Sequence, residues 1–143
     1  MIRLNERNEF EVPDAGSAGT LTTSTICDCF VAPFPCLLKG VLGRLGTAGG
    51  TQATIVDIQK NGSSIFSGAT KVNFAASSQT PTYGALTANP TQFVKGDIIK
   101  ITVTQVGSAT APADLALALN LQRQRGTDNI GTMATDSLGT EAE

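Results

Sequence analysis

Apolar and polar residues alternate with a period of two along most of the chain after Thr20. Thr54, Val56 and Ile58 alternate with Ile55, Asp57 and Gln59. Ile99, Ile101 and Val103 alternate with Ile98, Lys100, Thr102 and Thr104. Leu115, Leu117, Leu119 and Leu121 alternate with Ala116, Ala118, Asn120 and Gln122. A period of two places the two sets on opposite faces of a strand. Leu and Ala also favour helices, so a helix over 113–123 competes with the strand. A helix, however, would scatter the four leucines around its circumference, and the alternation therefore predicts a strand.

Turn chemistry separates these runs. Asn61-Gly62 lies between Thr54–Lys60 and Ser63–Phe66, and a tight type I′ hairpin needs positive φ at both central positions, which Asn and Gly tolerate best. Gly96-Asp97 starts the strand over 97–106. Residues 26–32 are apolar and β-forming until Pro33 and Pro35 interrupt them. In Cys36–Thr47 the glycines at 40, 43 and 46 disfavour a helix and predict a bent or bulged strand. Lys71–Phe74 is a further short strand, and 75–90 reads as a long loop with room for one helical turn. Seven or eight strands spaced about ten residues apart predict an all-β fold, an antiparallel β-sandwich of jelly-roll type. Its core would draw on Ile55, Ile99, Ile101, Val103, Leu115, Leu117 and Leu119. The expected division is an N-terminal arm over 1–19 with a short strand near Phe10–Val12, one sandwich domain over 20–123, and a C-terminal tail over 124–143.

Composition sharpens the picture. At 143 residues the chain can bury one real core without disulfides or metal. Charged residues make up only 15% of it, so the surface must be covered largely by Thr, Ser, Gly and Ala, as in extracellular β proteins and in proteins buried in assemblies. Residues 15–125 hold eight basic and four acidic side chains, whereas 1–14 carry a net −2 and 126–143 a net −4. A mildly basic body thus has two acidic ends, which are either simply solvated or laid across basic patches of neighbouring copies. Lys and Arg do not cluster with aromatic platforms, so no nucleic-acid partner is expected. No apolar run approaches the length of a membrane span, and no apolar stretch near the N-terminus resembles a signal peptide.

Candidate chemistry is sparse. With no histidine, the commonest general base and metal ligand is missing. Cys27, Cys29 and Cys36 are odd in number and have neither CxxC nor zinc spacing, so free thiols formed in a reducing cytoplasm are expected. Asp28, Asp57, Asp97 and Asp114 read as solvated surface carboxylates, and Asp97 with Asp114 lacks the Asp-rich loop of a calcium site. Ser63 and Ser64 read as turn residues. Tyr83 is the single tyrosine and there is no Trp, a poor set for stacking sugars. These features predict a protein that binds and packs, with no enzyme activity and no cofactor.

Several of the same segments resemble accessory virion proteins of tailed bacteriophages. The resemblance is carried by Val56-Asp57-Ile58, Asn61-Gly62 and Ser64-Ile65-Phe66, by Lys71 to Phe74, by the run Phe93 to Ser108, and by the Leu-rich segment Ala111 to Leu119. It spans about residues 30–123. It implies a β-sandwich module of the capsid decoration (cement) type, with the major capsid protein and further copies of itself, as a homotrimer, for partners, and the outer surface of the virion for location. The short length, with no fibrous shaft, favours decoration over a fibre. The alternative is a tail, baseplate or head-fibre module that binds a host surface glycan or protein through the 75–92 loop around Tyr83. On the decoration reading the arms reach neighbouring subunits, and Arg3, Arg7, Phe10, Arg123 and Arg125 are the expected partner-binding residues.

Overall fold

The computed structural model describes residues 8–13 and 15–124. Arg3, Arg7, Arg125 and the acidic C-terminal tail lie outside the described residues. The strands are β1 (Glu9–Glu11), β2 (Ser17–Thr20), β3 (Thr25–Val31), β4 (Cys36–Thr47), β5 (Thr54–Lys60), β6 (Ser63–Ser64), β7 (Val72–Phe74), β8 (Thr82–Tyr83), β9 (Gln92–Phe93), β10 (Ile98–Gln105) and β11 (Ala113–Arg123).

They form two wholly antiparallel sheets. The first runs β1-β11-β4-β9, with β2 beside β11 beyond β1; the second runs β3-β10-β5-β7-β8, with β6 beside β5. If β1 and β2 count as one interrupted edge strand, and β6 and β8 as additions, eight strand positions remain. The chain visits the sheets in the order first, second, first, second, second, first, second, first. That is the double Greek-key path of a jelly roll. The four-leucine segment is β11, a central strand paired to β4 from Ala113–Thr47 to Arg123–Cys36.

Inward residues seal one interior. Leu45, Leu115, Leu119 and Leu121 from the first sheet meet Val56, Ile58, Val72, Phe74, Ile99, Ile101 and Val103 from the second. The Asn61-Gly62 hairpin forms as expected: Asn61 has φ 52° and Gly62 φ 87°, and Lys60 pairs with Ser63. The glycine-rich strand β4 carries a bulge, because its pairing with β11 steps from Gly40–Asn120 to Leu38–Leu121 and skips Lys39.

Some expectations need correction. Ile55 is only half-buried, on the outer side of β5, and its place in the core is taken by Thr54, Val56 and Ile58. Asp57 and Asp97 are not surface carboxylates; they are 2% and 9% exposed. Asp57 does lie on the outer side of β5, but the segment from Ser64 to Lys71 crosses over it, and strand alternation carries no signal of such a cover. The 75–90 loop contains β8 and no helical turn. Of the segment read as an N-terminal arm, 9–11 and 17–20 are strands along the edge of β11.

Candidate interaction surface

The outer face of the first sheet is unusually bare. Beside Leu42 on β4 stand Ala118 and, one step along, Arg44 opposite Ala116 and Gly40 opposite Asn120. Leu42 is 72% exposed, although it occupies the middle of a central strand. Together Leu42, Arg44, Ala116 and Ala118 line a shallow apolar depression. Arg44 supplies positive charge at one end of this face. Glu11, on β1 opposite Asn120, supplies negative charge at the other. Single exposed apolar residues are ordinary, but a contiguous patch ringed by polar groups marks a contact surface.

A second apolar group lies on the other sheet. Val31 and Ile98 are cross-strand partners on β3 and β10, and Val94 sits in the turn leading to β10. All three are exposed. β3 is also an edge strand, so this group borders an open sheet margin.

Polar groups buried in the body serve the fold. Asp57 accepts hydrogen bonds from Ser64 Oγ at 2.6 Å, Gln59 Nε2 at 3.2 Å and Lys71 Nζ at 3.4 Å. Asp97 accepts from Asn61 Nδ2 and from the Val94 N–H, each at 2.9 Å, with Lys60 Nζ 3.7 Å away. It thereby ties the β5–β6 hairpin tip to the start of β10. Burial pulls the Asp97 carboxyl upward, but the Asn61 amide, the Val94 N–H and the Lys60 ammonium outweigh it and hold it below its ordinary value of 3.8. A carboxyl with a lower value in the fold than in the open chain stabilises the fold when ionised, and that contribution is lost as pH falls through the folded-state value. Asp97→Asn is therefore expected to flatten the fall in urea midpoint below about pH 4, where free Asp begins to protonate. An equally steep fall in both proteins would contradict this role.

Cys27 and Cys36 are buried thiols that form no disulfide. Burial, with Asp97 nearby, pushes Cys36 up to about 11, so it is a neutral thiol at physiological pH. Among the described residues no group of three or more His, Cys, Asp or Glu side chains could hold a metal ion. No helix among them is long and apolar enough to cross a membrane.

The expected partner-binding residues fare differently. Phe10 is 5% exposed, its ring edge-on to Phe34 at 5.3 Å and tilted against Phe30 at 6.2 Å. It therefore has no surface to offer a partner. Its position between Glu9 and Glu11 in an alternating strand accounts for its inward turn. Arg123 lies over the Phe34 ring at 4.7 Å, within its own subunit. Leu42, Val31, Val94 and Ile98 were not anticipated as a surface. The usable signal was alanine rather than charge at 116 and 118, on the side of β11 that alternation already turned outward.

Compared with family models, with curated proteins and with solved structures, the chain matches none.

Proposed function

We propose that this chain is an accessory structural protein of a tailed-bacteriophage virion. In this reading it is a capsid decoration protein that seats on major capsid protein subunits as a homotrimer, stiffens the shell, and carries out no chemistry. The observation that carries the reading is the apolar outer face centred on Leu42, on the paired strands β4 and β11. A scarcely charged face of that kind is suited to packing against protein, where a few fully desolvated side chains supply most of the binding energy. The low overall charge and the resemblance of residues 30–123 to virion accessory proteins support the same reading. Arg3, Arg7 and Arg125 belong to the terminal segments and would add charged contacts at the rim of the seat.

Leu42→Asp tests this directly. The side chain makes no core contact, so the melting temperature is expected to stay close to that of the parent protein. Occupancy of capsids reconstituted with the purified protein should fall at least about tenfold, the equivalent of about 1.4 kcal/mol. Undiminished occupancy would remove the Leu42 face from the proposal.

A further inference from the structure

Asn61-Gly62 is the one Asn-Gly pair in the chain, and it forms the tip of the β5–β6 hairpin. Both residues are exposed. A Cβ placed on Gly62 would meet nothing within 4 Å, and among the described residues no group accepts from the Gly62 N–H. The nitrogen that follows Asn61 is therefore unshielded. Before glycine, that nitrogen attacks an asparagine carboxamide most readily, because glycine has no Cβ to obstruct the close approach.

The Asn61 side chain is nevertheless held on both sides. Its Nδ2 donates to Asp97 Oδ1 at 2.9 Å, and its Oδ1 accepts from the Ile98 N–H at 2.8 Å. The Asn61 N–H donates to the Ile98 carbonyl, also at 2.8 Å. Asp97 is itself fixed by the Val94 N–H and lies 3.7 Å from Lys60 Nζ. Turning Asn61 Cγ onto the Gly62 nitrogen breaks both side-chain bonds, one of them to a largely buried carboxylate. The attack thus waits for the hairpin tip to lift from the start of β10.

We propose that Asn61 is a site of spontaneous deamidation, gated by its bonds to Asp97 and Ile98. When the tip opens, the Gly62 nitrogen gives up its proton and bonds to Asn61 Cγ. The Cγ–Nδ2 bond breaks, and Nδ2 takes up a proton and leaves as ammonia. Water then opens the resulting cyclic imide at either carbonyl, giving aspartate or isoaspartate at 61. Either product puts a carboxylate where an amide donor faced Asp97, and like charges at hydrogen-bond distance disfavour closure. Isoaspartate also lengthens the backbone of the turn by one methylene, against the Lys60–Ser63 pairing. The tip therefore closes less well after the reaction than before it. The inference concerns the isolated chain and does not rest on the virion reading.

Peptide mapping by mass spectrometry follows the product at 61 during incubation at neutral pH. The full chain is compared with Asp97→Ala and with a free peptide of residues 56–67. The peptide, which lacks the restraining bonds, is expected to react at least about tenfold faster than the full chain, and Asp97→Ala at least about threefold faster at unchanged circular dichroism. Equal rates in the peptide and the full chain would overturn the proposal, and so would an Asp97→Ala rate no higher than that of the parent. Asn61→Asp reproduces the aspartate product directly and does not depend on Asp97→Ala folding. In it the Ile98 amide is expected to exchange at least about tenfold faster, and adding Asp97→Asn, which returns an amide to the pair, should reverse most of that gain. Unchanged Ile98 exchange in Asn61→Asp would overturn the opposition of charges on which the altered closure depends.

Discussion

Phe74→Ala is expected to lower the unfolding free energy by about 4 kcal/mol, in the range for emptying a buried phenylalanine site. Phe74 is 1% exposed at the end of β7 and reaches across the interior to the opposite sheet. A Cβ built on Gly43 of β4 would lie 3.2 Å from its Cζ and 3.4 Å from Leu117 Cδ1. The bare backbone at 43 is thus what admits the ring between the layers. A cavity left there cannot readily collapse, because each wall is a strand held by its ladder, β4 by β11 and β7 by β5. Phe74→Leu should recover more than half of the loss, and Gly43→Ala should itself be destabilising because the ring must give way. Urea unfolding of the three variants measures all of this. A loss below about 1 kcal/mol for Phe74→Ala would mean that the two sheets do not meet at this point.

Lys71→Ala is expected to cost about 2 kcal/mol. Removing one partner of a buried pair leaves the other charge without compensation and costs more, about 3–5 kcal/mol. The lower figure applies because the Lys71 side chain is 24% exposed and partly screened, while that of Asp57 is only 3% exposed. Ser64 and Gln59 continue to bond the carboxylate, which limits the loss further. Asp57→Asn in the Lys71→Ala background should restore part of the stability by removing the stranded charge. A double-mutant cycle at neutral pH measures the coupling. A coupling under about 0.5 kcal/mol, typical of exposed pairs, would show that the Ser64–Lys71 segment does not shield this site.

Those two residues also mark how far the sequence could be read. Strands β5, β10 and β11 were legible because alternation is a local property. The leucines of β11 and Ile99 and Ile101 of β10 point inward as the period of two requires. The β5–β6 hairpin was legible for the same reason, since Asn61-Gly62 encodes its own turn. The burial of Asp57 was not, because it depends on a segment seven to fourteen residues later folding over the outside of a strand. Asp97 was misread on the same ground: its partners Asn61 and Lys60 are more than thirty residues away. The pattern of inward and outward residues on β5 was visible, yet Ile55 was taken for core because apolarity alone does not say which face is closed. For the interaction surface, alternation had already turned Ala116 and Ala118 outward. Only the pairing of β11 with β4 set Leu42 beside Ala118, and pairing is a nonlocal fact.

The surface follows from that pairing. A jelly roll needs polar cover on its outer faces unless another protein supplies it, and here the middle of the first sheet offers Leu42, alanine and glycine instead. Such a face costs solubility in the free protein and gains stability in an assembly. The most direct test of the proposed decoration role is a quantitative mass-spectrometric inventory of virions purified from cells that produce the chain. The expected result is the protein in numbers comparable to the capsomers of the shell, in the hundreds per particle and lost together with the capsid fraction. A dozen copies or fewer, or none, would contradict decoration and move the protein to the tail or out of the particle.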